Sequence, residues 1–247
     1  METQRIRGKI IKILSVLFFF TLQAFGNQPN EKKLKEADVL FQKQKYMEAL
    51  KKYEQLMQEK GSASPSMLLK MAFIQEGLGE YDQSLYYLNL YYSKSPEIGV
   101  LEKMQSIADK EHLEGYDFSD KSYFMNGYLK YKTEETLFLL ILALAFTAVF
   151  YIYAVKFKTK KISWAVASLS MLVLLLAHVN MFQSENHVIL LADESPLMAG
   201  PSSGAQMISE LDKGNKLKIT GEKDVWYQVE WNGEKGYIKK SNGKRVL

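Results

Sequence analysis

The sequence contains no cysteine in its 247 residues. This absence excludes disulfide bonds, cysteine nucleophiles, metal sites with cysteine ligands and lipid attachment to a cysteine. It is compatible with an oxidising compartment but does not demonstrate one. The stability and chemistry of this protein must therefore come from other residue types.

Catalytic and metal-binding motifs are also absent from the sequence. The histidines His112, His178 and His187 are not spaced like metal ligands, and no H-E-x-x-H, G-x-S-x-G or Walker loop occurs. We therefore expect a protein that is not an enzyme and that carries no metal ion or cofactor.

The sequence has no strongly basic folded segment, although its formal net charge is +4. Residues 1–26 carry four basic residues against one acidic residue, and 156–161 carry four lysines. Residues 27–135 carry fifteen basic and eighteen acidic residues, and 187–247 carry nine and eight. Nucleic-acid binding needs lysine and arginine clustered on a folded face, so we do not expect it here.

Residues 1–26 have the organisation of a signal peptide. Four basic residues precede an apolar run over 13–22, and the small residues Ala24 and Gly26 stand at positions −3 and −1 of a cleavage site before Asn27. An uncleaved anchor is the alternative, although the apolar run is short for a membrane-spanning helix. Both interpretations predict that the residues that follow are exported.

Two further apolar segments, 136–155 and 162–182, have the length of transmembrane helices. Twenty helical residues extend about 30 Å, which is the thickness of the hydrocarbon core of a bilayer. His178 is the only classically ionisable side chain in these segments. It is either a functional residue inside the membrane or a side chain that reaches interfacial water.

The loop 156–161 between these segments predicts the topology, because positive charge in a short loop resists translocation. We expect the loop in the cytoplasm and both flanking regions outside it. The predicted location is thus the inner (cytoplasmic) membrane, crossed twice, with both folded domains in the periplasm. The lysines that determine this topology are Lys156, Lys158, Lys160 and Lys161.

A period of 35 residues between 30 and 114 predicts a helical repeat. Its pattern of small and aromatic residues resembles the tetratricopeptide repeat, which implies helical hairpins that approach closely at the small residues. The aligned pairs are Ala37 with Ala72, Tyr46 with Tyr81, Ala49 with Ser84 and Leu56 with Tyr91.

Two such repeats are fewer than the three that usually build a continuous core. We therefore expect 99–113 to form a capping helix and 115–135 to be a linker. The inward residues of the capping helix are predicted to be Val100, Leu101, Met104, Ile107 and Ala108.

The resemblance to tetratricopeptide repeats also implies a concave groove that binds a partner helix or peptide. The alternative is that the apolar groove residues belong to the core, because so short an array has no deep groove. The implied contact residues are Leu34, Asp38, Phe41, Leu69, Phe73 and Glu76.

Residues 187–247 alternate polar and apolar side chains in short segments, which predicts a small β-barrel. We expect five strands, in HVILLA, QMISEL, KLKITGE, VWYQVEW and KGYIKK, and Asn232-Gly233 is a strong hairpin signal. The segment resembles bacterial SH3-like domains, although Met198 replaces the arginine of that family. The matching residues are Gly200, Pro201, Leu211, Gly214, Ile219, Trp226, Val229, Gly236, Tyr237 and Ile238.

The same resemblance implies a ligand groove in the barrel, lined by Trp226, Trp231 and Tyr237. Such a groove would bind cell-wall peptides or proteins. The alternative is that these aromatic side chains form the core, as aromatic residues in small barrels often do.

The predicted fold is a multidomain chain with an all-α tetratricopeptide-like repeat, a transmembrane helical hairpin and an all-β SH3-like barrel. This order resembles BatE-type proteins of the aerotolerance operon. The resemblance implies a component of an envelope complex, with von Willebrand A-type and tetratricopeptide partners and a link to oxidative stress tolerance. The leading hypothesis is a non-enzymatic scaffold whose helical array and barrel bind envelope proteins. A peptidoglycan-binding anchor or sensor is the alternative function, and a membrane enzyme that uses His178 is a third.

Overall fold

The computed structural model describes residues 30–61, 63–117, 120–157, 162–181 and 185–246. The chain divides into two compact units, the first ending at Ala63 and the second beginning at Ser64. The predicted signal peptide, 1–26, lies outside the described residues.

The first unit contains a hairpin of two helices, α1 (Asn30–Gln42) and α2 (Tyr46–Lys60). The small residues Ala37 and Ala49 are fully buried, which allows the two helices to pack closely. The hydroxyl of Tyr53 donates a hydrogen bond of 2.6 Å to the carboxylate of Asp38 across the same interface. This hairpin therefore has the small-residue contact that the repeat pattern predicts.

The second unit begins with three helices, α3 (Pro65–Gly77), α4 (Tyr81–Lys94) and α5 (Ile98–Glu111). Helix α3 starts at Pro65 because proline fits the first helical position, and the Ser64 hydroxyl accepts a bond of 3.3 Å from the Met67 amide. Helix α5 buries all five of the residues that the sequence places inward: Val100, Leu101, Met104, Ile107 and Ala108.

Helix α4 is the most deeply buried of these helices, because it packs against α3, α5 and two strands of the sheet. The hydroxyl of Ser84 donates a bond of 3.1 Å to the carbonyl of Ala72 in α3. Both residues are buried, as the equivalent alanines of the first unit are. The buried set extends around much of the helix: Asp82, Ser84, Leu85, Tyr86, Tyr87, Leu88, Asn89, Tyr91 and Tyr92.

Two further helices, α6 (Asp120–Phe157) and α7 (Ile162–Met181), pack against each other as an antiparallel pair. Helix α6 includes residues 120–135, most of the segment expected to be a linker. The hydroxyl of Tyr128 in α6 lies 3.2 Å from Nδ1 of His178 in α7. Many large apolar side chains on the two helices are exposed, among them Leu137, Phe138, Ile141, Leu169 and Leu174.

The predicted transmembrane hairpin, and with it the predicted fold class and inner-membrane location, is contradicted. Among the helices within the described residues, none is both long enough and apolar enough to cross a membrane. A bilayer needs about 20 consecutive apolar residues. The predicted span 136–155 is instead part of α6, which begins with the charged residue Asp120 and carries Lys132, Glu134 and Glu135 along the same axis.

The C-terminal residues form one antiparallel sheet of seven strands in the order β3-β2-β6-β5-β4-β1-β7. Five strands lie where the sequence predicts them, while β2 contains a proline and β7 contains two charged residues, so neither has a clear alternating pattern. The strands are β1 (His187–Leu190), β2 (Ser195–Met198), β3 (Met207–Leu211), β4 (Lys216–Lys223), β5 (Trp226–Trp231), β6 (Glu234–Lys239) and β7 (Gly243–Val246).

The tight turn between β5 and β6 confirms the predicted hairpin. Asn232 and Gly233 both have positive φ, 49° and 80°, as a type I′ turn requires. The sheet curls around an apolar core to which almost every strand contributes. Its buried members are Val188, Leu190, Leu197, Leu211, Leu217, Val229 and Ile238.

Candidate functional site

The segment that follows α5 is hydrogen-bonded to the turn between β3 and β4. The amide of Lys216 donates to the carbonyl of Glu114 at 3.1 Å, and the Glu114 amide donates to Oδ1 of Asn215 at 2.8 Å. The hydroxyl of Tyr116 donates to the carbonyl of Gly214 at 2.7 Å, and the Tyr116 side chain is buried. Within the second unit the helices and the sheet are therefore held together by specific bonds.

Gly115 makes this close approach possible. Its φ is +88°, a conformation that L side chains rarely adopt, and a Cβ atom at this position would lie 1.9 Å from the carbonyl oxygen of Lys216. No other residue type fits between the two chain segments. Gly115 thus fixes how the segment 113–117, which we call the clasp, lies on the sheet.

A cavity of about 570 Å³ lies between the clasp, the last turns of α5 and the strands β1, β4 and β5. We refer to it as the cleft. Its helical wall carries the carboxylates of Asp109, Glu114 and Asp117. Its sheet wall carries a different set of side chains: His187, Lys216, Lys218, Glu230, Trp231 and Asn232.

Lys216 is the lysine nearest the clasp, and it is half-buried although its side chain is charged. Burial lowers the pKa of the Lys216 ammonium to about 8, and the Glu185 carboxylate offsets this only in part. Its Nζ atom lies 5.8 Å from the centre of the Tyr116 ring. An acidic group that entered the cleft would therefore meet a partly desolvated cation.

The sheet wall also carries His187 and Lys218. Burial first, and the charge of Lys216 second, lower the pKa of His187 to about 4. Its imidazole is therefore neutral at pH 7. Lys218 pairs with Glu185 at 2.6 Å, and the Asn232 amide donates to Glu114 at 3.4 Å.

The three aromatic residues predicted to line one ligand groove lie on different faces of the sheet. Trp226 pairs with Lys239, and Gln228 pairs with Tyr237, in a regular register. Because neighbouring strand residues point to opposite faces, Trp226 and Tyr237 share one face and Trp231 lies on the other. Of the three, Trp231 lines the cleft and packs against the barrel core.

Trp226 is buried, with a relative exposure of 5%, although it lies outside the barrel core. The ammonium of Lys239 lies 5.7 Å from the centre of its ring. Tyr237 is half-buried. These two side chains therefore do not contribute to the cleft.

The residues predicted to form a helical groove divide between the two units, so the groove stays a prediction. In the first unit, Asp38 accepts the bond from Tyr53, and Phe41 contacts Tyr46 edge-on with ring centres 5.5 Å apart. Leu34 is half-buried in the same hairpin.

The other three predicted groove residues belong to α3 in the second unit. Leu69 and Phe73 are exposed, by 38% and 56%. Glu76 accepts a hydrogen bond from Lys103 in α5. The apolar pair on α3 therefore lies on the surface rather than in the core.

The remaining candidate residues of the sequence have simpler positions. His178 contacts Tyr128, and within the described parts of the chain no cluster of three or more His, Asp or Glu residues is placed to hold a metal ion. Lys156 lies in the last turn of α6. The topology lysines Lys158, Lys160 and Lys161 lie outside the described residues.

Sequence patterns missed the cleft because its walls come from residues about 100 positions apart, as in the contact between Tyr116 and Gly214. The sequence predicts a linker over 115–135, yet the first three of these residues belong to the clasp. The pair Gly115-Tyr116 in a polar stretch was the available signal, since a buried tyrosine beside a glycine indicates a close backbone contact.

Residues 197–244 match the family model of the bacterial SH3 domain. The match extends from β2 into β7, and this part of the chain is therefore a bacterial SH3 domain. It does not cover the helices, and it does not support the resemblance to tetratricopeptide repeats or to BatE-type proteins. A search of curated proteins finds no relative of the chain.

Proposed function

We propose that this chain is a non-enzymatic binding protein that holds a partner protein in the cleft between its SH3 domain and the clasp. A bacterial SH3 domain fits a role in binding proteins or the cell wall. The observation that carries the proposal is the cleft itself, a cavity of about 570 Å³ with charged walls and the aromatic side chains of Tyr116 and Trp231. Cavities of this size with a few convergent polar groups are typical of ligand sites.

A second surface of the same unit supports a scaffold role. Leu69 and Phe73 are exposed on α3, and Phe73 exposes more than half of its surface. Exposed large apolar side chains at neighbouring helical positions are suited to a partner helix. The scaffold would then bind one partner at α3 and another in the cleft.

The resemblance to BatE-type proteins supports envelope proteins as partners, with von Willebrand A-type proteins among them. The same resemblance is the basis for a role in oxidative stress tolerance. The part of the resemblance that supports this proposal is the order of a helical segment followed by an SH3 domain.

Site-directed photocrosslinking in the full-length protein tests the binding role. A photoreactive residue at Gln105, which is exposed and lines the cleft, should give crosslinks to a partner protein. The matched control is the same residue at Val225, which is exposed in the turn between β4 and β5 and is not part of the cleft. Equal crosslinking at both positions, or none at Gln105, would contradict the proposal.

Peptidoglycan is the second candidate ligand, and the observation in its favour is the match to the bacterial SH3 domain together with charges of both signs in the cleft. Wall peptides carry both amino and carboxyl groups, so such a cleft suits them. Retention of the full-length protein on purified wall material tests this candidate. Retention that is lost in the Trp231→Ala variant and kept in the Val225→Ala variant would support it, and no retention would remove it.

A further inference from the structure

The two outer strands of the sheet, β3 and β7, differ in how their edges are protected. Within the described residues each pairs with one neighbouring strand, β3 with β2 and β7 with β1. The outer edge of such a strand presents backbone N–H and C=O groups with which another chain can pair. Proteins usually protect these edges with charged side chains or cover them with another element.

The edge at β7 has both kinds of protection. Helix α4 packs against β7, and the ammonium of Lys244 lies 4.8 Å from the centre of the Tyr86 ring. Arg245 forms an ion pair of 2.8 Å with Glu222. Since both cationic side chains of β7 are exposed, we do not expect a partner strand at this edge.

The edge at β3 carries exposed apolar side chains instead. In the described sheet region, 185–246, large apolar side chains are exposed at three positions, and two of them, Met207 and Ile208, are neighbours on β3. Met207 exposes 53% of its surface and Ile208 exposes 38%. Apolar surface at an open strand edge favours pairing with another chain, so β3 is the edge at which we expect a partner.

The charge on β3 indicates the chemistry of this partner. Glu210 is exposed, and its carboxylate forms no ion pair with any residue that the structure describes. Opposite charges on neighbouring strands stabilise their pairing, so a lysine or arginine is favoured opposite Glu210. A second copy of β3 does not supply this cation, because its sequence, MISEL, contains no basic residue.

A β-bulge limits the length of the added strand. Leu197 pairs with Ser209 and Met198 pairs with Met207, so Ile208 is an extra residue on β3. A bulge increases the local twist, and β3 has only five residues. The partner segment at this edge is therefore short, and we expect the isolated segment to bind weakly.

We propose that β3 binds a short extended segment of a partner protein, which adds to the sheet as a further strand and places a basic residue opposite Glu210 and an apolar residue opposite Ile208. Main-chain hydrogen bonds supply the affinity of such an arrangement, and the two side chains supply its specificity. This surface is separate from the cleft, whose described lining residues come from other elements.

NMR titration of the isotope-labelled full-length protein with two peptides tests this inference. The lysine peptide is threonine-valine-threonine-lysine-threonine-valine-threonine with both ends blocked, so valine lies two residues from lysine in either strand direction. The glutamate peptide has glutamate in place of lysine. We expect the lysine peptide to bind about fivefold more tightly or better, with the largest shifts at the amides of β3.

Charge reversal on the protein assigns the basic residue of the peptide to its site. The Glu210→Lys variant should bind the glutamate peptide more tightly than the lysine peptide. Ile208→Lys should weaken binding of the lysine peptide by about fivefold, because it opposes an apolar residue with a cation beside the peptide lysine. The matched control is Val225→Lys, at the third exposed apolar position, which should leave both affinities unchanged.

Methylation of the peptide backbone distinguishes strand addition from contact through side chains alone. In an added strand the N–H groups of alternate residues point towards the sheet. Methylation of the lysine amide and methylation of the next threonine amide should therefore have unequal effects, with one of the two peptides losing its affinity. Equal effects would overturn the inference.

Equal affinity for the lysine and glutamate peptides would also overturn it, as would no binding of either peptide at millimolar concentration. A preference for lysine that persists in Glu210→Lys would mean that the peptide binds elsewhere. Self-association of the protein that Ile208→Lys prevents would make a second copy the occupant, and the proposal would be wrong. Thermal unfolding identifies any variant that fails to fold, and the peptide comparisons on the unaltered protein do not depend on the variants.

Discussion

The hairpins α1–α2 and α3–α4 correspond to the two segments that align in the sequence at a period of 35 residues, yet they have different surroundings. Both bury small residues where their helices touch, Ala37 and Ala49 in the first and Ala72 and Ser84 in the second. They differ on the outer side of the second helix. The aligned pairs there are Lys51 with Tyr86 and Lys52 with Tyr87.

In the first hairpin Lys51 is exposed, and Lys52 forms an ion pair with Glu36 at 3.0 Å. In the second hairpin Tyr86 and Tyr87 are buried, and the ammonium of Lys244 in β7 lies 4.8 Å from the centre of the Tyr86 ring. The small residues thus form the hairpin in both copies. Tyr86 lies where α4 meets β7, whereas the aligned Lys51 of the first hairpin is exposed.

Exchange of the aligned residues gives the largest expected effect. Tyr87→Lys removes a fully buried aromatic ring and places an ammonium in its site, so we expect the free energy of unfolding to fall by about 4 kcal/mol or more. The reverse exchange, Lys52→Tyr, removes an ion pair whose lysine side chain is 42% exposed and should change stability by less than about 1 kcal/mol. Denaturant unfolding of both variants measures the difference, and equal effects would mean that the two hairpins have the same surroundings.

The clasp gives the next largest effect. Gly115→Ala combines a strained φ with a Cβ atom 1.9 Å from the Lys216 carbonyl oxygen, so we expect a loss of about 3 kcal/mol. The matched control is Gly79→Ala, where φ is +81° and no atom lies within 4 Å of the added Cβ. It should cost only the backbone strain, about 1 kcal/mol. Similar losses at the two glycines would show that the clasp does not hold the sheet.

We expect the stability of the second unit to depend on pH, because His187 lies in this unit. Its pKa is lowered to about 4 in the folded protein, against 6.5 for an unperturbed histidine. Between these values the unfolded chain binds more protons, so stability is complete above about pH 6.5 and is lost as pH falls towards 4. We expect a loss of about 2 kcal/mol, since the side chain keeps 22% of its surface in water.

Thermal unfolding of the unaltered protein and of His187→Gln, at pH 4.5 and pH 7, measures this loss. The variant should lose less stability than the unaltered protein over that range. Asp82 acts in the opposite direction, because burial raises the pKa of its carboxyl group and its ionised form destabilises the fold as pH rises. Asp82 is present in both proteins, so its contribution cancels when the unaltered protein is compared with the variant. Equal losses of stability between pH 7 and pH 4.5 would contradict the role of His187.

The smallest expected effect on stability comes from exchanging the small residues at the helix contact that both hairpins share. Ser84→Ala removes the buried bond to the Ala72 carbonyl and makes the second hairpin like the first, where Ala49 occupies the aligned position. We expect a loss of about 1 kcal/mol. Ala49→Ser is the reverse change. If the first hairpin lacks room for a hydroxyl, Ala49→Ser should lower the free energy of unfolding by at least as much as Ser84→Ala. A gain in stability in the Ala49→Ser variant would show that the two small-residue contacts are equivalent.

Local patterns predicted much of the fold. The 35-residue repeat corresponds to two hairpins, and alternation located five of the seven strands, because both signals depend on neighbours in the sequence. Strand β2 contains Pro196, and β7 carries Lys244 and Arg245. Their strand character therefore comes from pairing, of β2 with β3 and β6 and of β7 with β1. Hydropathy over 136–155 predicted a membrane span, whereas these residues lie within the 38-residue helix α6, and no helix in the described parts of the chain is long and apolar enough for a span.

The candidate site could be predicted only in part. Trp231 was singled out because aromatic residues in this family line grooves, and it does line the cleft. Lys216, His187 and the clasp residues were missed as site residues, because the cleft exists only when the sheet and α5 come together. Trp226 and Tyr237 were placed with Trp231 by type, but strand alternation puts them on the other face.

The bond between Tyr116 and Gly214 joins positions 98 residues apart, and the helices α6 and α7 lie within the enclosed stretch of chain. During synthesis from the N-terminus, α4 is therefore made long before the strands that cover Tyr86. Tyr86 therefore stays uncovered until β7, which carries Lys244, has left the ribosome. Loop-closure entropy grows by only about 0.6 kcal/mol for each doubling of loop length, so the enclosed helices are free to lengthen or shorten in evolution without loosening the joint.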